Sequence, residues 1–241
     1  RRIIAAAELS QSDKVLEIGP GRGPRSELLL KNASEVLAIE KDGRLVEVLT
    51  KRFEASPNLR LLHADALEFL PAPHTAWNAW QLVANLPYSV ASPILVELAQ
   101  GERSPQRIVA TLQLEVARRL MAEADDDDYG LLTLLVQLDF EPRDTFKIPA
   151  GCFFPQPDVD SACVILERRA QPLLPQERRC DFHRIVKRAF SQRRKMMLKL
   201  LKAEWPEAAL AQAFATVGLS PQTRAEKVSV QQFVMLTSLL R

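Results

Sequence analysis

Cysteine is scarce in this chain, and the three present, Cys152, Cys163 and Cys180, are odd in number and form no C-x-x-C pair. That spacing offers neither a disulfide framework nor a zinc site. Histidine is equally sparse: His63, His74 and His183 are scattered, and none is assigned a catalytic part. Long apolar runs are missing too. Nothing approaches the roughly 18 residues of a membrane-spanning helix, and the start Arg1-Arg2-Ile3-Ile4 lacks the apolar core of a secretory signal. These shortages point to a reducing, cytoplasmic setting away from membranes and to chemistry without a metal. No internal repeat occurs, and no low-complexity stretch beyond the aspartates of 125–128. The chain also begins without a Met, which reads as a start trimmed from something longer.

What is present suffices for a folded core. With 241 residues, 47% of them hydrophobic, the chain can build one large domain and a small one, which excludes wholesale disorder. The net charge of +2 hides an asymmetry: residues 171–241 hold 13 Lys and Arg against 5 Asp and Glu, leaving 19 against 25 for residues 1–170. The tail is the basic part.

Strand-like runs recur at 15–19, 36–40, 59–65, 81–85 and 107–112, with helix-length segments between most of them. Alternation of this kind predicts a parallel, doubly wound α/β sheet. The charged stretch 125–130 reads as a solvated loop followed by a short buried helix over 131–138. Residues 141–148 and 159–168 read as an antiparallel pair at the sheet edge, joined by the proline-rich 149–157. From Pro172 onward the pattern turns helical, with segments at 182–190, 195–202 and 207–217 and a last helix opened by Ser229 with Gln232 as capping box. The expected domains are therefore 1–171 and 172–241.

Val15-Leu16-Glu17-Ile18-Gly19-Pro20-Gly21-Arg22-Gly23 predicts a buried strand running into a glycine turn and a helix, where a ligand approaches the main chain closely. Its G-x-G-x-G spacing departs from the G-x-G-x-x-G of dinucleotide sites, which argues against a NAD-dependent dehydrogenase. Glu40 ends the second predicted strand, where an acid accepts hydrogen bonds from ribose hydroxyls. Asp65 ends the third and is placed to receive an adenine amino group. Taken singly, either acid also suits a helix cap.

Asn85-Leu86-Pro87-Tyr88 puts an amide, a proline-stiffened turn and an aromatic ring directly after an apolar strand, equipment for gripping a planar aromatic amine. Phe153-Phe154-Pro155-Gln156-Pro157 supplies a second aromatic group before the last strand, and Phe153 suits either the core or the other side of a base. Cationic residues crowd 184–195, and Arg188, Arg193, Arg194 and Lys195 are the candidate phosphate contacts.

The tetrapeptide resembles the N-[LIP]-P-[YF] motif of amino-methyltransferases. Together with Leu16-Glu17-Ile18-Gly19-Pro20-Gly21, Asp127-Asp128-Tyr129-Gly130-Leu131-Leu132, the segment 153–162 and Phe190-Ser191-Gln192-Arg193-Arg194-Lys195, it makes the chain similar to the ribosomal RNA adenine dimethylases, closest to their bacterial small-subunit branch. The resemblance runs from about Ile4 to the C-terminus. It implies a Rossmann-like S-adenosyl-L-methionine-dependent methyltransferase sheet with a small all-helical C-terminal domain. The implied activity is dimethylation of the N6 amines of two adjacent adenosines near the 3′ end of 16S rRNA, by a monomer with a role in ribosome assembly. It further implies that Gly19 and Gly21 face the methionine part of the cofactor, Glu40 the ribose and Asp65 the adenine. Asn85 would lie between cofactor and target base, with Leu86, Tyr88 and Phe153 forming the base pocket. Two departures stand out: family members usually carry a Gln-Asn-Phe-Leu-type segment ahead of the first helix that helps cover the cofactor, and Pro24 and Arg25 occupy positions where many have smaller or apolar residues.

Two other readings stay open. One is an erythromycin-resistance-type 23S rRNA methylase, which favours Ile in the second tetrapeptide position and lacks the Asp-Asp-Tyr-Gly stretch. The other is a ribosome-assembly binding factor in which catalysis is secondary.

Overall fold

A computed structural model describes residues 2–71, 76–99, 101–154, 156–192 and 194–240. Contacts divide the chain into two units, Arg1–Ala117 with Phe140–Arg169, and Arg118–Asp139 with Ala170–Arg241.

The first unit opens with α1 (Arg2–Ala7) and alternates β1 (Lys14–Ile18), α2 (Ser26–Asn32), β2 (Glu35–Glu40), α3 (Gly43–Arg52), β3 (Leu59–His63), α4 (Ala66–Phe69), β4 (Trp80–Asn85), α5 (Ala91–Leu98) and β5 (Arg107–Gln113). α6 (Leu114–Met121) carries the chain out of it, and the chain returns as β6 (Phe140–Ile148) and β7 (Ser161–Arg168). The sheet order is β3-β2-β1-β4-β5-β7-β6. β1 to β5 pair in parallel, whereas β7 runs antiparallel to both β5 and β6. The predicted edge pair is thus present, with β6 outermost.

Hydrophobic patterning explains this order. β1, β2, β4 and β5 are buried almost continuously, as strands covered on both faces must be, while β3 is half-buried to exposed throughout and β6 mixes buried and exposed positions. Val15, Val36, Val83 and Val109 from four strands meet Leu29 of α2 and Ala7 of α1 in one core. Acids immediately after strands start helices: Asp42 accepts the Arg44 N–H ahead of α3, and Asp65 accepts the Leu67 N–H ahead of α4.

The second unit holds α7 (Leu131–Gln137), α8 (Arg179–Ala189), α9 (Met197–Leu201), α10 (Glu207–Val217) and α11 (Val230–Leu239). Its core gathers Leu134 and Leu138 with Phe182, Ile185, Met197, Phe214 and Phe233. The segment Arg118–Asp139 belongs here, which a single division at residue 172 does not convey. The cause is local. Gln137 Nε2 donates to the carbonyls of Leu120 and Ala122 at 2.9 and 3.0 Å, Tyr129 OH donates to the Val228 carbonyl at 2.8 Å, and buried Asp139 pairs with buried Arg179. The aspartate loop is a surface feature whose following Tyr129 is an anchor. The predicted Ser229/Gln232 capping box forms, with Ser229 Oγ accepting the Gln232 N–H at 3.2 Å and Gln232 Oε1 accepting the Ser229 N–H at 3.0 Å.

Candidate active site

Strand order reverses between β1 and β4, because the chain builds outward through β2 and β3 on one side and through β5 on the other. Such a switch point opens a crevice beyond the carboxyl ends of the strands, where open α/β sheets take their ligands. Gly19, Glu40, Asp65 and Asn85 all stand on that rim, at the ends of or just beyond β1, β2, β3 and β4.

The glycine turn is built as the spacing predicts. Gly19, Gly21 and Gly23 have φ of +65°, +61° and +82°. The Gly19 N–H is held by the Ile39 carbonyl at 3.0 Å, and its α-carbon faces Pro87 and the Asn85 carbonyl. Above Gly21 the space is open, whereas a Cβ on Gly23 would come within 2.6 Å of the Phe53 ring. Beneath the turn Glu17 is fully buried. Burial pushes its carboxyl upward, opposed by the Arg25 guanidinium at 3.2 Å and the Ser26 hydroxyl at 2.6 Å. Arg25, the unusual residue after the turn, is therefore the counter-ion of a buried acid.

Glu40 is 8% exposed and stitches two loops together. Its Oε2 accepts the Gly21 N–H at 3.2 Å and its Oε1 the Asp42 N–H at 3.0 Å. Asp65 has both oxygens engaged, Oδ1 by the Leu67 N–H at 2.9 Å and Oδ2 by Lys41 Nζ at 2.6 Å. That ion pair with Lys41, followed by the cap, holds its carboxyl below the ordinary value. The helix-cap reading of Asp65 thus describes its own contacts.

At the end of β4, Asn85 Oδ1 is buried without a hydrogen-bond partner. Leaving such an acceptor unmet costs about 1–3 kcal/mol, so the site is arranged for a donor from outside the chain. The Leu86 N–H donates to the Thr111 carbonyl of β5 at 3.2 Å, and the Val90 N–H closes a turn on the Pro87 carbonyl at 3.1 Å. Tyr88 OH lies 2.6 Å from Ser161 Oγ at the start of β7. Phe153 is half-buried after a short turn pinned by the Ala150 N–H on Asp160 Oδ1 at 3.0 Å, and its neighbour Phe154 is fully exposed. Sequence reasoning did not single out Thr111, Lys41 or Ser161, although Ser161 lies within the quoted segment 153–162.

The predicted phosphate contacts differ among themselves. Arg188 Nε donates to the Leu200 carbonyl at 2.9 Å and faces Glu204 at 3.7 Å, so its guanidinium is largely committed within the helical unit. Arg194 and Lys195 are exposed, as are Lys187, which lies within the basic segment 184–195, and Lys199, which sequence reasoning did not single out. Arg193 lies outside the described residues. Among the described residues no three His, Cys, Asp or Glu side chains are grouped to hold a metal ion, and no helix is long and apolar enough to cross a membrane.

Similarity to known proteins covers the whole chain. Residues 1–241 match the family described as ribosomal RNA adenine dimethylase. The ribosomal RNA small subunit methyltransferase A of Dehalococcoides mccartyi is 36% identical over 238 residues, 98% of this chain and 81% of that one. The protein of the same name from Latilactobacillus sakei is 37% identical over 250 residues, 100% and 84% of the two chains. Among solved structures, a dimethyladenosine transferase from Plasmodium falciparum has a TM-score of 0.82 at 25% identity, covering 98% of this chain and 92% of that one. The 23S rRNA methyltransferase ErmE has a TM-score of 0.75 at 28% identity, covering 99% and 95%.

The sheet, its switch-point crevice and the tetrapeptide beside the glycine turn define a Rossmann-like, S-adenosyl-L-methionine-dependent methyltransferase. More narrowly, the chain belongs to the ribosomal RNA adenine dimethylase family.

Proposed function

We propose that this protein dimethylates the N6 amines of two adjacent adenosines near the 3′ end of 16S rRNA in the small ribosomal subunit, acting as a cytoplasmic monomer during subunit assembly. The observation that carries the reading is the buried, unpartnered Oδ1 of Asn85, a residue whose backbone carbonyl faces the Gly19 turn. An exocyclic amine is a donor suited to such an acceptor.

S-adenosyl-L-methionine, when bound, supplies an electrophilic methyl group. The residues present fit it: the space above Gly21 is open to a ligand on the main chain, and Glu40 stands buried at the next strand end. Gly19 and Gly21 would face its methionine part, Glu40 its ribose and Asp65, through what acceptor capacity its cap and ion pair leave, its adenine.

The N6 nitrogen is a poor nucleophile because its lone pair is delocalised into the ring. Asn85 Oδ1 and the Leu86 carbonyl each accept one amine hydrogen and so favour a pyramidal nitrogen with its lone pair free. These bonds strengthen as positive charge develops on the nitrogen, which is where stabilisation counts. Pro87 fixes the carbonyl, while Tyr88 and Phe153 sandwich the base and hold it in line. The methylated nitrogen is strongly acidic and gives its proton to solvent water after the methyl arrives, so no side chain with a strongly shifted pKa is required. Exposed Lys187, Arg194, Lys195 and Lys199, with Arg193, would meet phosphates independently of sequence.

Incubation with labelled S-adenosyl-L-methionine and unmethylated small subunits, followed by nucleoside analysis, tests this. Label recovered as N6,N6-dimethyladenosine at two neighbouring positions is expected. Transfer to protein-free 23S RNA instead would overturn it.

A further inference from the structure

Ser161 and Tyr88 are 73 residues apart in sequence, yet their hydroxyl oxygens lie 2.6 Å apart. The two ends of this bond are unequal. Ser161 is fully buried, opens β7, and is paired in register with Gln113 of β5 and Ile148 of β6. Its hydroxyl is thus carried by a strand hydrogen-bonded on both sides. Tyr88 is half-buried in the turn 87–90, outside any strand or helix, and a tyrosine side chain has more than one staggered well to choose from.

Building on the function proposed above, we propose that Ser161 is a positioning residue for the base platform: its hydroxyl holds the Tyr88 ring in one orientation, so that the target adenine meets a preset face. The tetrapeptide is then clamped at both ends. At its front the Leu86 N–H is tied to the Thr111 carbonyl of β5, and at its back the Tyr88 phenol is tied to β7. Asn85 and the Leu86 carbonyl present their oxygens from the first clamp, and the ring fixes the base against them from the second. A ring released from Ser161 samples several rotamers, and the fraction of encounters with the amine aligned falls accordingly. Ser161 itself need touch neither base nor cofactor. The segment before β7 therefore contributes to the site through the tetrapeptide as well as through Phe153.

Tyr88→Phe and Ser161→Ala, made singly and together in the full chain, test this on unmethylated small subunits. Each single change is expected to lower kcat about three- to tenfold, the scale of one neutral hydrogen bond, with KM for RNA within about twofold. The double variant should be no slower than the slower single, because both changes remove the same bond. Losses that multiply, or a Ser161→Ala enzyme with unchanged kcat, would overturn the proposal. A purely structural role for Ser161 would also survive in the Tyr88→Phe background and show there as a further loss.

A second readout needs no substrate. The chain has only two tyrosines, and the other, Tyr129, is buried with its phenol on the Val228 carbonyl, which makes it an internal reference. In ring-labelled protein, Ser161→Ala is expected to shift and average the Tyr88 ring resonances while leaving those of Tyr129 in place. Unchanged Tyr88 resonances would sink the tether whatever the RNA specificity. Wild-type protein that fails to methylate small-subunit adenosines would sink the function and leave this measurement intact.

Discussion

Pro87 packs against the backbone of Gly19: a Cβ on the glycine would stand 3.6 Å from Pro87 Cγ and 3.7 Å from the Asn85 carbonyl oxygen. Two motifs separated by three strands of chain thus share one surface. These are ordinary contact distances, so the need for glycine at 19 is conformational and not one of space.

The three glycines of the turn should therefore respond differently to alanine. Gly21→Ala meets no neighbour within 4 Å and carries only the left-handed backbone penalty, about 1–2 kcal/mol. Gly23→Ala adds a Cβ 2.6 Å from the Phe53 ring and 2.9 Å from Leu49, for a further overpacking cost of about 1–3 kcal/mol. Urea denaturation should rank Gly23→Ala as the less stable. Calorimetric titration with S-adenosyl-L-methionine should rank Gly21→Ala as the weaker binder per unit of stability lost, since its methyl fills the space the ligand would use. Equal binding by Gly21→Ala and wild type would remove the close approach assigned to this residue.

Asn85→Ala should separate activity from stability. Its Oδ1 is a buried acceptor with nothing to accept, so its removal costs the fold little and relieves up to about 1–2 kcal/mol of desolvation. Thermal melting should show a midpoint unchanged or raised, while methyl transfer is abolished and RNA affinity stays within a few fold, because phosphates dominate binding. A variant that turns over near the wild-type rate would refute the role given to the amide.

Among the described residues Arg25 is the one cation paired with Glu17, and its removal should steepen the pH dependence that burial of this carboxyl imposes. Burial already raises the Glu17 carboxyl above its ordinary 4.5, and loss of the guanidinium raises it further. A folded state with the higher carboxyl pKa binds more protons than the unfolded chain, so stability of Arg25→Ala falls as pH rises from the ordinary value to the raised one. Denaturant midpoints at pH 5 and pH 8 should differ, with the acidic sample more stable and the loss at pH 8 about 3 kcal/mol, as for a broken buried pair. Adding Glu17→Gln should flatten the dependence. A flat profile in Arg25→Ala itself would show that the folded state binds the Glu17 proton no more tightly than the unfolded chain does, and would refute the burial effect.

The parallel sheet was legible because β1, β2, β4 and β5 are mostly apolar without the strict alternation of a half-exposed strand, a pattern that strands covered on both faces need. The glycine turn, the 207–217 helix and the Ser229 cap were legible for equally local reasons, since backbone sign and capping are set within a few residues. Long-range partnerships were not. Nothing near residue 139 in sequence announces Arg179, nothing near Tyr88 announces Ser161, and nothing in 118–139 announces a core completed after residue 170. The roles of the acids were legible only as alternatives: Asp65 suits a ligand or a cap, and its distances to Leu67 and Lys41 describe the cap.

Charge alone also failed to sort the residues of the basic helices. Arg188 looks like its neighbours in sequence, but its Nε is spent on the Leu200 carbonyl and Glu204 faces it, so Arg188→Ala should lose stability by about 1–2 kcal/mol and change the salt dependence of RNA binding little. Arg194 and Lys195 are exposed, and among the described residues neither has an ion-pair partner. Replacing both with Ala should leave the unfolding midpoint in place and reduce the slope of log affinity against log salt by about 0.7–0.9 for each phosphate no longer neutralised. Filter binding to the small-subunit RNA between low and moderate salt reads both variants on one plot. If the Arg188 variant flattened the slope and the Arg194/Lys195 variant did not, the RNA surface would lie elsewhere on the protein.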